Sequence, residues 1–199
     1  MVVEGDSDRV ALETLAARMD VDLDARGASI APIGGAHAVR RFLGRLAAAH
    51  PQARVAGLCD AGQEVYFQRA LEDRGLGDGL DRGGLARLGF FVCVLDLEDE
   101  LIRALGAGVV EAVIEAQGEL RSYRSFQRQP AQAAVAAEAQ LRRFMGTHAG
   151  RKAQYARALV DALDLRQVPA PLAGALTATG TSLRIGSAIR TISPGSPPP

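Results

Sequence analysis

Three short apolar runs in this sequence end in acidic residues, and this arrangement limits the fold more than any other feature. Val2-Val3 precedes Glu4, residues 54–59 precede Asp60, and residues 90–95 precede Asp96. Segments with helical periodicity separate the runs, so the sequence predicts an α/β fold, with a mostly parallel sheet flanked by helices. The carboxyl ends of such strands meet at one edge of the sheet, where ligands bind.

The acidic residues expected at this edge favour a site for a divalent cation. Carboxylates that gather in one place repel one another unless a cation lies between them. Glu4, Asp8, Asp60, Asp96 and Glu98 offer only oxygen ligands, which suit Mg²⁺ or Mn²⁺. Some acids have a second interpretation, because carboxylates also stabilise the first turn of a helix, and this applies to Asp8 and to the acids of residues 96–100.

The acidic segments also carry a family resemblance. Residues 3–8, Val-Glu-Gly-Asp-Ser-Asp, resemble the first motif of the TOPRIM domain, the metal-binding module of topoisomerases, primases and some nucleases. Residues 57–60 lie where such domains carry their second acidic motif. Residues 95–101 resemble the third acidic segment of the OLD (overcoming lysogenisation defect) family of nucleases, and residues 150–152 resemble the lysine segment of that family.

The resemblance spans roughly residues 1–175 and implies a role for each matching residue. It implies that Glu4 is a metal ligand or a general acid–base, and that two ions of Mg²⁺ or Mn²⁺ are held by a set of acids, namely Glu4, Asp8, Asp60, Asp96 and Glu98. Lys152, the only lysine, would stabilise charge on the scissile phosphate or on the leaving oxygen. Gly62 stands where the pattern has a second Asp, and Glu64 or the acids of residues 96–100 are candidates to replace it.

The domain organisation follows the change in composition along the chain. We predict a TOPRIM-like α/β core over residues 1–107 and a helical C-terminal extension over residues 108–175, which carries Lys152. Residues 176–199 would be a tail that is disordered at its end. The glycine-rich residues 75–89 are expected to be a loop, and Asp6 or Ser7 is expected to cap the first helix.

Charge and cysteine usage limit the class of protein further. The 23 basic and 23 acidic residues cancel, so no global basic field indicates nucleic-acid binding. Cys59 and Cys93 lie in apolar runs and are expected to be buried reduced thiols, with a disulfide between adjacent strands as the alternative. No run of apolar residues approaches the length of about 20 residues that a membrane-spanning helix needs. With no visible signal peptide, we expect a cytoplasmic protein without membrane partners.

The resemblance favours a metal-dependent endonuclease that hydrolyses DNA phosphodiester bonds, with a homodimer as one option for the assembly. The alternative is a non-catalytic or partner-dependent TOPRIM module that binds metal or nucleic acid. OLD-family proteins join an ATPase domain to the TOPRIM domain, and this chain has no P-loop motif, so an ATPase would be a separate partner. RNA cleavage and primer synthesis are further TOPRIM chemistries.

Two further segments are weaker candidates for contacts with nucleic acid. Residues 121–128 place Tyr123 and Phe126 among three arginines, which suits either a strand-binding surface or an ordinary polar linker between helices. His148 lies close to Lys152 in sequence and is a candidate for a phosphate contact.

Overall fold

A parallel sheet lies at the centre of the molecule. The computed structural model describes residues 1–146 and 150–180, so His148 and the end of the tail lie outside the described residues. Within these ranges the sheet has four strands in the order β2-β1-β3-β4, with every neighbouring pair parallel. The strands are β1 (Val2–Val3), β2 (Ala31–Pro32), β3 (Gly57–Cys59) and β4 (Phe90–Val92).

Helices connect the strands and continue beyond them, which confirms the expected α/β fold with C-terminal helices. In the described residues they are α1 (Asp6–Arg18), α2 (Val39–Ala49), α3 (Glu64–Glu72), α4 (Arg82–Arg87), α5 (Leu97–Leu105), α6 (Ala107–Ala116), α7 (Leu120–Gln127), α8 (Ala137–Met145), α9 (Arg151–Ala162) and α10 (Ala170–Ala178). Short 3₁₀ turns lie at Ala36–Ala38, Ala61–Gln63, Pro130–Gln132 and Leu165–Gln167.

The prediction for the glycine-rich segment is wrong. The glycine-rich segment 75–89 is not a continuous loop, because α4 forms inside it where the Asp81 carboxylate accepts a hydrogen bond of 2.6 Å from Gly84 N–H. Such a cap offsets the low helix propensity of the glycines. In α1 the buried residues are Ala11, Leu12, Leu15 and Ala16, and Met19, which follows the helix, is 39% exposed.

The two faces of the sheet carry two hydrophobic cores, because successive strand residues point to opposite sides. Val2 and Cys59 face α2, α3 and α4, where Leu43 and Phe67 are buried. Val3 and Leu58 face α1 and helices α5 to α10. The residues of that second core include Leu12, Leu101, Ile114, Tyr123, Leu141, Tyr155, Leu159 and Leu172.

The C-terminal helices therefore pack on the same core as the sheet. Arg18, at the end of α1, donates hydrogen bonds to the carbonyl oxygens of Val160 and Leu163, at the end of α9. This contact fixes the last turns of the two helices together. Since α1 and α9 also pack along their length, their first turns lie at the same end of the sheet, and these turns carry Asp8 and Lys152. The domain boundaries at residues 107 and 175 stay a prediction.

Cys59 and Cys93 are both free and buried, as expected. They lie on neighbouring parts of the sheet, where Cys93 N–H donates to the Cys59 carbonyl oxygen at 2.9 Å. Among the described residues, none of the helices combines the length and the apolar character needed to cross a bilayer.

Candidate metal centre

The predicted acidic residues meet at the carboxyl edge of the sheet. Glu4 directly follows β1 and Asp60 directly follows β3, and these two strands are neighbours. Asp60 N–H donates a hydrogen bond of 2.9 Å to Glu4 Oε1, which ties the two strand ends together. One oxygen of Glu4 is thus held by the backbone. The strand order explains the meeting of two residues that are far apart in sequence.

Asp8 joins this edge through the first turn of α1. Gly5 is the N-cap residue, and its N–H donates to Asp8 Oδ2 at 2.9 Å. The expectation that Asp6 or Ser7 caps the helix is wrong, because the helix begins one residue earlier and Asp8 reaches back from its third position. Asp6 is instead 71% exposed and pairs with Arg9 at 3.2 Å.

Asp96 is buried, and both of its carboxylate oxygens accept hydrogen bonds. Oδ1 caps α5 by accepting from Asp99 N–H at 2.9 Å, and Oδ2 accepts from the Arg142 guanidinium at 2.6 Å. Asp96 is therefore a helix cap and an ion-pair partner. The sequence offers no sign of Arg142, which lies 46 residues further along the chain.

Lys152 lies among these acids. Its Nζ is 3.2 Å from Glu98 Oε1, and the Glu98 side chain is only 7% exposed whereas that of Lys152 is 52% exposed. Burial alone would lower the pKa of Lys152, but the negative charges of Glu98, Asp96 and Asp60 raise it above its usual value. The ammonium group is therefore a positively charged partner of the acidic residues.

The acids that remain raise one another's pKa. Burial raises the pKa of Asp60 to about 8, with further contributions from the charges of Glu4, Asp8, Asp96 and Glu98. Burial likewise raises the pKa of Asp8 to about 6, although the hydrogen bond from Gly5 opposes the rise. Burial also raises the pKa of Glu4, against the effects of the Asp60 N–H and of Lys152. This pattern indicates an acidic cluster with too little positive charge.

The donor set of this cluster fits a divalent cation of the Mg²⁺ or Mn²⁺ type. All of its ligand atoms are carboxylate oxygens, and in the described part of the chain no hydrogen bond is donated to the Asp60 carboxylate. In residues 1–146 and 150–180, however, no three His, Cys, Asp or Glu side chains converge closely enough to enclose a metal ion, so binding requires the carboxylates to move together.

The missing second Asp of the motif has no direct replacement nearby. Gly62 lies in the 3₁₀ turn after Asp60, and a Cβ at this position would meet no atom within 4 Å, so steric crowding does not explain the glycine. Glu64 is engaged elsewhere, because it pairs with Arg82 at 2.8 Å and accepts a hydrogen bond from Gln68. Neither position adds a free carboxylate to the cluster.

Two other acids near the edge have structural roles. Glu100 is buried, accepts a hydrogen bond of 2.7 Å from Val94 N–H, and pairs with Arg103. Asp99 pairs with the same arginine at 2.8 Å. These contacts hold the loop after β4 against α5, and they separate Asp99 and Glu100 from the acidic cluster.

Of the two aromatic residues in residues 121–128, only Phe126 is partly exposed, where it lines a cavity with Arg121. This segment lies almost entirely in α7, where Tyr123 is fully buried and Arg124 pairs with Glu111 at 2.7 Å. Phe126 packs against Phe144, with the ring centroids 5.8 Å apart. The interpretation that Tyr123 stacks on a nucleic-acid base is therefore wrong, because a helix turns this ring into the core.

The first 60 residues match a known family. Residues 1–60 match the family described as overcoming lysogenization defect protein-like, TOPRIM domain. No curated protein matches the sequence. The family suggests a module that binds divalent metal and acts on nucleic acid.

Solved structures extend the likeness over most of the chain. The C-terminal region of the OLD protein from Xanthomonas campestris pv. campestris has a TM-score of 0.64 and 23% identity, over 90% of this chain and 92% of that chain. The C-terminal region of the Burkholderia pseudomallei OLD protein has a TM-score of 0.61 and 21% identity, over 89% of this chain and 94% of that chain. At these identities the likeness establishes the fold. The resemblance inferred from the sequence motifs is confirmed.

Proposed function

We propose that this chain, with the OLD-like TOPRIM domain of residues 1–60, is a metal-dependent endonuclease that hydrolyses phosphodiester bonds in DNA. The observation that carries the proposal is the meeting of Glu4, Asp8 and Asp60 with the only lysine, Lys152, at one edge of the sheet. A cluster of carboxylates beside an ammonium group is suited to a negatively charged phosphodiester only when divalent cations are also present.

The acids would hold two ions of Mg²⁺ or Mn²⁺. Asp8 and Asp60 are the ligands that we place first, because Asp60 accepts no hydrogen bond in the described residues and Asp8 has only one carboxylate oxygen committed. Glu4 also has one oxygen committed, so its Oε2 either binds a metal ion or accepts a proton. Asp96 and Glu98 would become metal ligands once their ion pairs with Arg142 and Lys152 are broken. Bound divalent ions would supply Lewis-acid polarisation of the phosphodiester.

Glu4 is the residue that we assign to proton transfer. The attacking water forms a bond to phosphorus, and its proton passes to the Glu4 carboxylate. The bond from phosphorus to the leaving oxygen breaks, and this oxygen keeps the electron pair and takes up a proton from solvent. Burial raises the pKa of Glu4, which makes this carboxylate a better proton acceptor than an exposed one. The hydrogen bond from Asp60 N–H fixes its orientation and leaves Oε2 for the water.

We assign to Lys152 the stabilisation of negative charge on the phosphate and on the leaving oxygen. The raised pKa of Lys152 keeps its ammonium charged at neutral pH. It lies in the first turn of α9, where the helix dipole disfavours a cation, so its position depends on the acids around it. Arg151 is not equivalent, since it pairs with Glu119 at 2.9 Å.

A second candidate function is a TOPRIM module that binds metal and nucleic acid but cleaves only with a separate ATPase partner. Two observations favour it: both oxygens of Asp96 are engaged by Asp99 N–H and by Arg142, and Gly62 lacks the carboxylate of the usual motif. The proposed two-ion site therefore requires rearrangement, which a partner or the DNA could drive.

Nicking of supercoiled plasmid by the purified chain tests the proposal. We expect nicking with Mn²⁺ or Mg²⁺ and none with EDTA. Glu4→Gln and Lys152→Gln should each lower the rate by about 100-fold or more, as removal of a general base or of a positioned charge does. Asp6→Asn is the matched control, because Asp6 lies between Glu4 and Asp8 in sequence but its side chain is exposed.

The outcomes separate the two candidate functions. Nicking that persists in Glu4→Gln with the fold intact would contradict the assigned site. A folded wild-type chain that binds Mn²⁺ but does not nick would favour the partner-dependent module. In that case, nicking that appears after a separate ATPase is added would identify the requirement.

A further inference from the structure

One segment of the sequence carries basic residues and no acidic residue. Residues 25–59 contain five arginines and two histidines but no Asp or Glu, although the whole chain has a net charge of zero. The segment includes β2, α2 and β3. The cancellation of charge over the sequence therefore hides a local basic region.

The part of this region around Gly35 borders the candidate metal centre, whereas Arg26 and Arg54 line a cavity with Met1 at the opposite end of β1. Gly35 N–H donates a hydrogen bond of 2.9 Å to the Glu4 carbonyl oxygen, and the next residues form the turn that leads into α2. On the other side, α3 begins at Glu64, shortly after Asp60. The first turns of α2 and α3 therefore flank the two strand ends that carry Glu4 and Asp60.

An aromatic pair marks the end of this surface nearest to the acids. The His37 and Tyr66 rings have centroids 4.2 Å apart and planes inclined by 58°. His37 is exposed and Tyr66 is partly exposed. The two rings line a cavity of about 350 Å³, whose walls also include Arg40 and Arg69. Unlike Tyr123, these rings are accessible to a ligand.

Most arginines on this surface form no ion pair with an acidic side chain. Within the described residues, Arg41, Arg45 and Arg69 form no ion pair with a carboxylate, whereas Arg40 pairs with Asp73 of α3. Arg41 and Arg45 are exposed and lie one helical turn apart on α2, and His37 lies in the 3₁₀ turn that precedes this helix. We call His37, Arg41, Arg45, Tyr66 and Arg69 the basic aromatic face.

We propose that the basic aromatic face binds a single strand of nucleic acid and leads it to the acidic cluster, with a base stacked on Tyr66 and His37 and phosphates on Arg41, Arg45 and Arg69. The inference rests on the proposed function and adds the path of the substrate. Accessible aromatic rings between cations suit a single strand, whose unpaired bases can stack, better than a duplex, whose bases are already stacked. Unpaired guanidinium groups at helical spacing suit the backbone.

Binding in EDTA tests the inference separately from cleavage. We would measure fluorescence anisotropy with a labelled single-stranded DNA of about 20 nucleotides, with RNA of the same sequence, and with the matching duplex. Tyr66→Ala should weaken binding of the strand by about five-fold or more, because it removes stacking on one base, while Tyr66→Phe should retain binding. Arg41→Gln combined with Arg45→Gln should lower the slope of log affinity against log salt by about 1.4.

The control is the double variant Arg121→Gln and Arg128→Gln, which removes two exposed arginines from and beside α7. We expect it to bind as the wild type does. Equal losses in the control and in the α2 variants, no change in either, tighter binding of the duplex, or no binding by the wild type would each overturn the inference. RNA binding with the same pattern among the variants would support a strand site without sugar preference.

The same variants distinguish this inference from the proposed function. If the Tyr66 and Arg41/Arg45 variants bind the strand as tightly as the wild type does, and metal-dependent nicking is intact, the inference about the basic aromatic face is wrong. The proposed nuclease activity then stands. If these variants lose strand binding and the wild type does not nick DNA with any metal, the inference about the basic aromatic face is supported. The proposal that the chain cleaves DNA by itself is then contradicted.

Discussion

Asp60 concentrates the electrostatic repulsion of the acidic cluster at one residue. Its pKa is raised to about 8 by burial and by four neighbouring carboxylates, whereas the ordinary value is 3.8. The folded state therefore binds a proton more readily than the unfolded state does. Above the folded-state pKa the ionised Asp60 destabilises the fold, and below the ordinary pKa this effect is absent.

Replacing Asp60 by Asn should therefore stabilise the metal-free protein. At pH 8 in EDTA we expect an increase of about 1 to 2 kcal/mol in the free energy of unfolding, discounted for partial exposure of the carboxylate. The advantage should shrink as the pH falls from 8 towards 4, because Asp60 of the wild type then becomes protonated. Urea unfolding at several pH values measures it. Asp6→Asn, at an exposed acid, should show no such trend, and a destabilised Asp60→Asn protein would contradict the assignment.

The contrast between Glu4 and Asp96 shows which site residues a sequence can predict. Glu4 and Asp60 follow apolar strands directly, and parallel strands bring such residues to one edge regardless of side-chain detail. Asp96 also follows a strand, but its role depends on Asp99 N–H and on Arg142, a partner from α8. Local sequence places an acid at a sheet edge, and distant packing decides whether its oxygens remain free.

At the scale of elements, α10 shows how closely the C-terminal helices fit the sheet. Gly174 of α10 lies against the Phe91 ring of β4, and a Cβ at position 174 would be 2.4 Å from Phe91 Cε1. This distance is too short for a carbon–carbon contact, so helix and strand approach each other only because residue 174 is glycine. The helices beyond residue 107 therefore contribute residues to the hydrophobic core and do not merely lie on its surface.

Gly174→Ala should therefore destabilise the protein. Although alanine has the better helix propensity, the overpacking against Phe91 should lower the free energy of unfolding by about 1 to 3 kcal/mol. The matched control is Gly108→Ala in α6, where an added Cβ would meet no atom within 4 Å and should stabilise by up to about 1 kcal/mol. Opposite signs in thermal unfolding are expected, and stabilisation by both substitutions would contradict the close packing of α10 on β4.

The element predictions failed where a single contact decides between helix and loop. Residues 75–89 contain six glycines, and propensity alone favours a loop, yet the Asp81 cap and the burial of Leu85 produce α4. Residues 121–128 are rich in polar side chains, but Tyr123 anchors α7 in the core. In residues 97–105, by contrast, Leu97, Leu101 and Ile102 share one buried face, so the apolar periodicity alone indicates a helix.

At the scale of the whole molecule, the candidate site joins parts of the chain that have no local connection. The acids come from the first strand, the first helix, β3 and α5, and the single lysine comes from α9. A divalent ion at this edge would cross-link these elements in the folded state only, because the unfolded chain keeps the carboxylates apart. Metal binding should therefore stabilise the whole fold by linkage.

Thermal unfolding with and without metal checks this coupling. At a free Mn²⁺ concentration of 100 times the dissociation constant, linkage contributes about 2.7 kcal/mol, which corresponds to a rise in Tm of about 5 to 10 °C for a chain of this size. Asp60→Asn should start from a higher Tm in EDTA at pH 8 and respond much less to Mn²⁺, whereas Asp6→Asn should respond as the wild type does. An equal Mn²⁺ response in all three proteins would show that the ion binds elsewhere, because only Asp60 of the two substituted residues belongs to the acidic cluster.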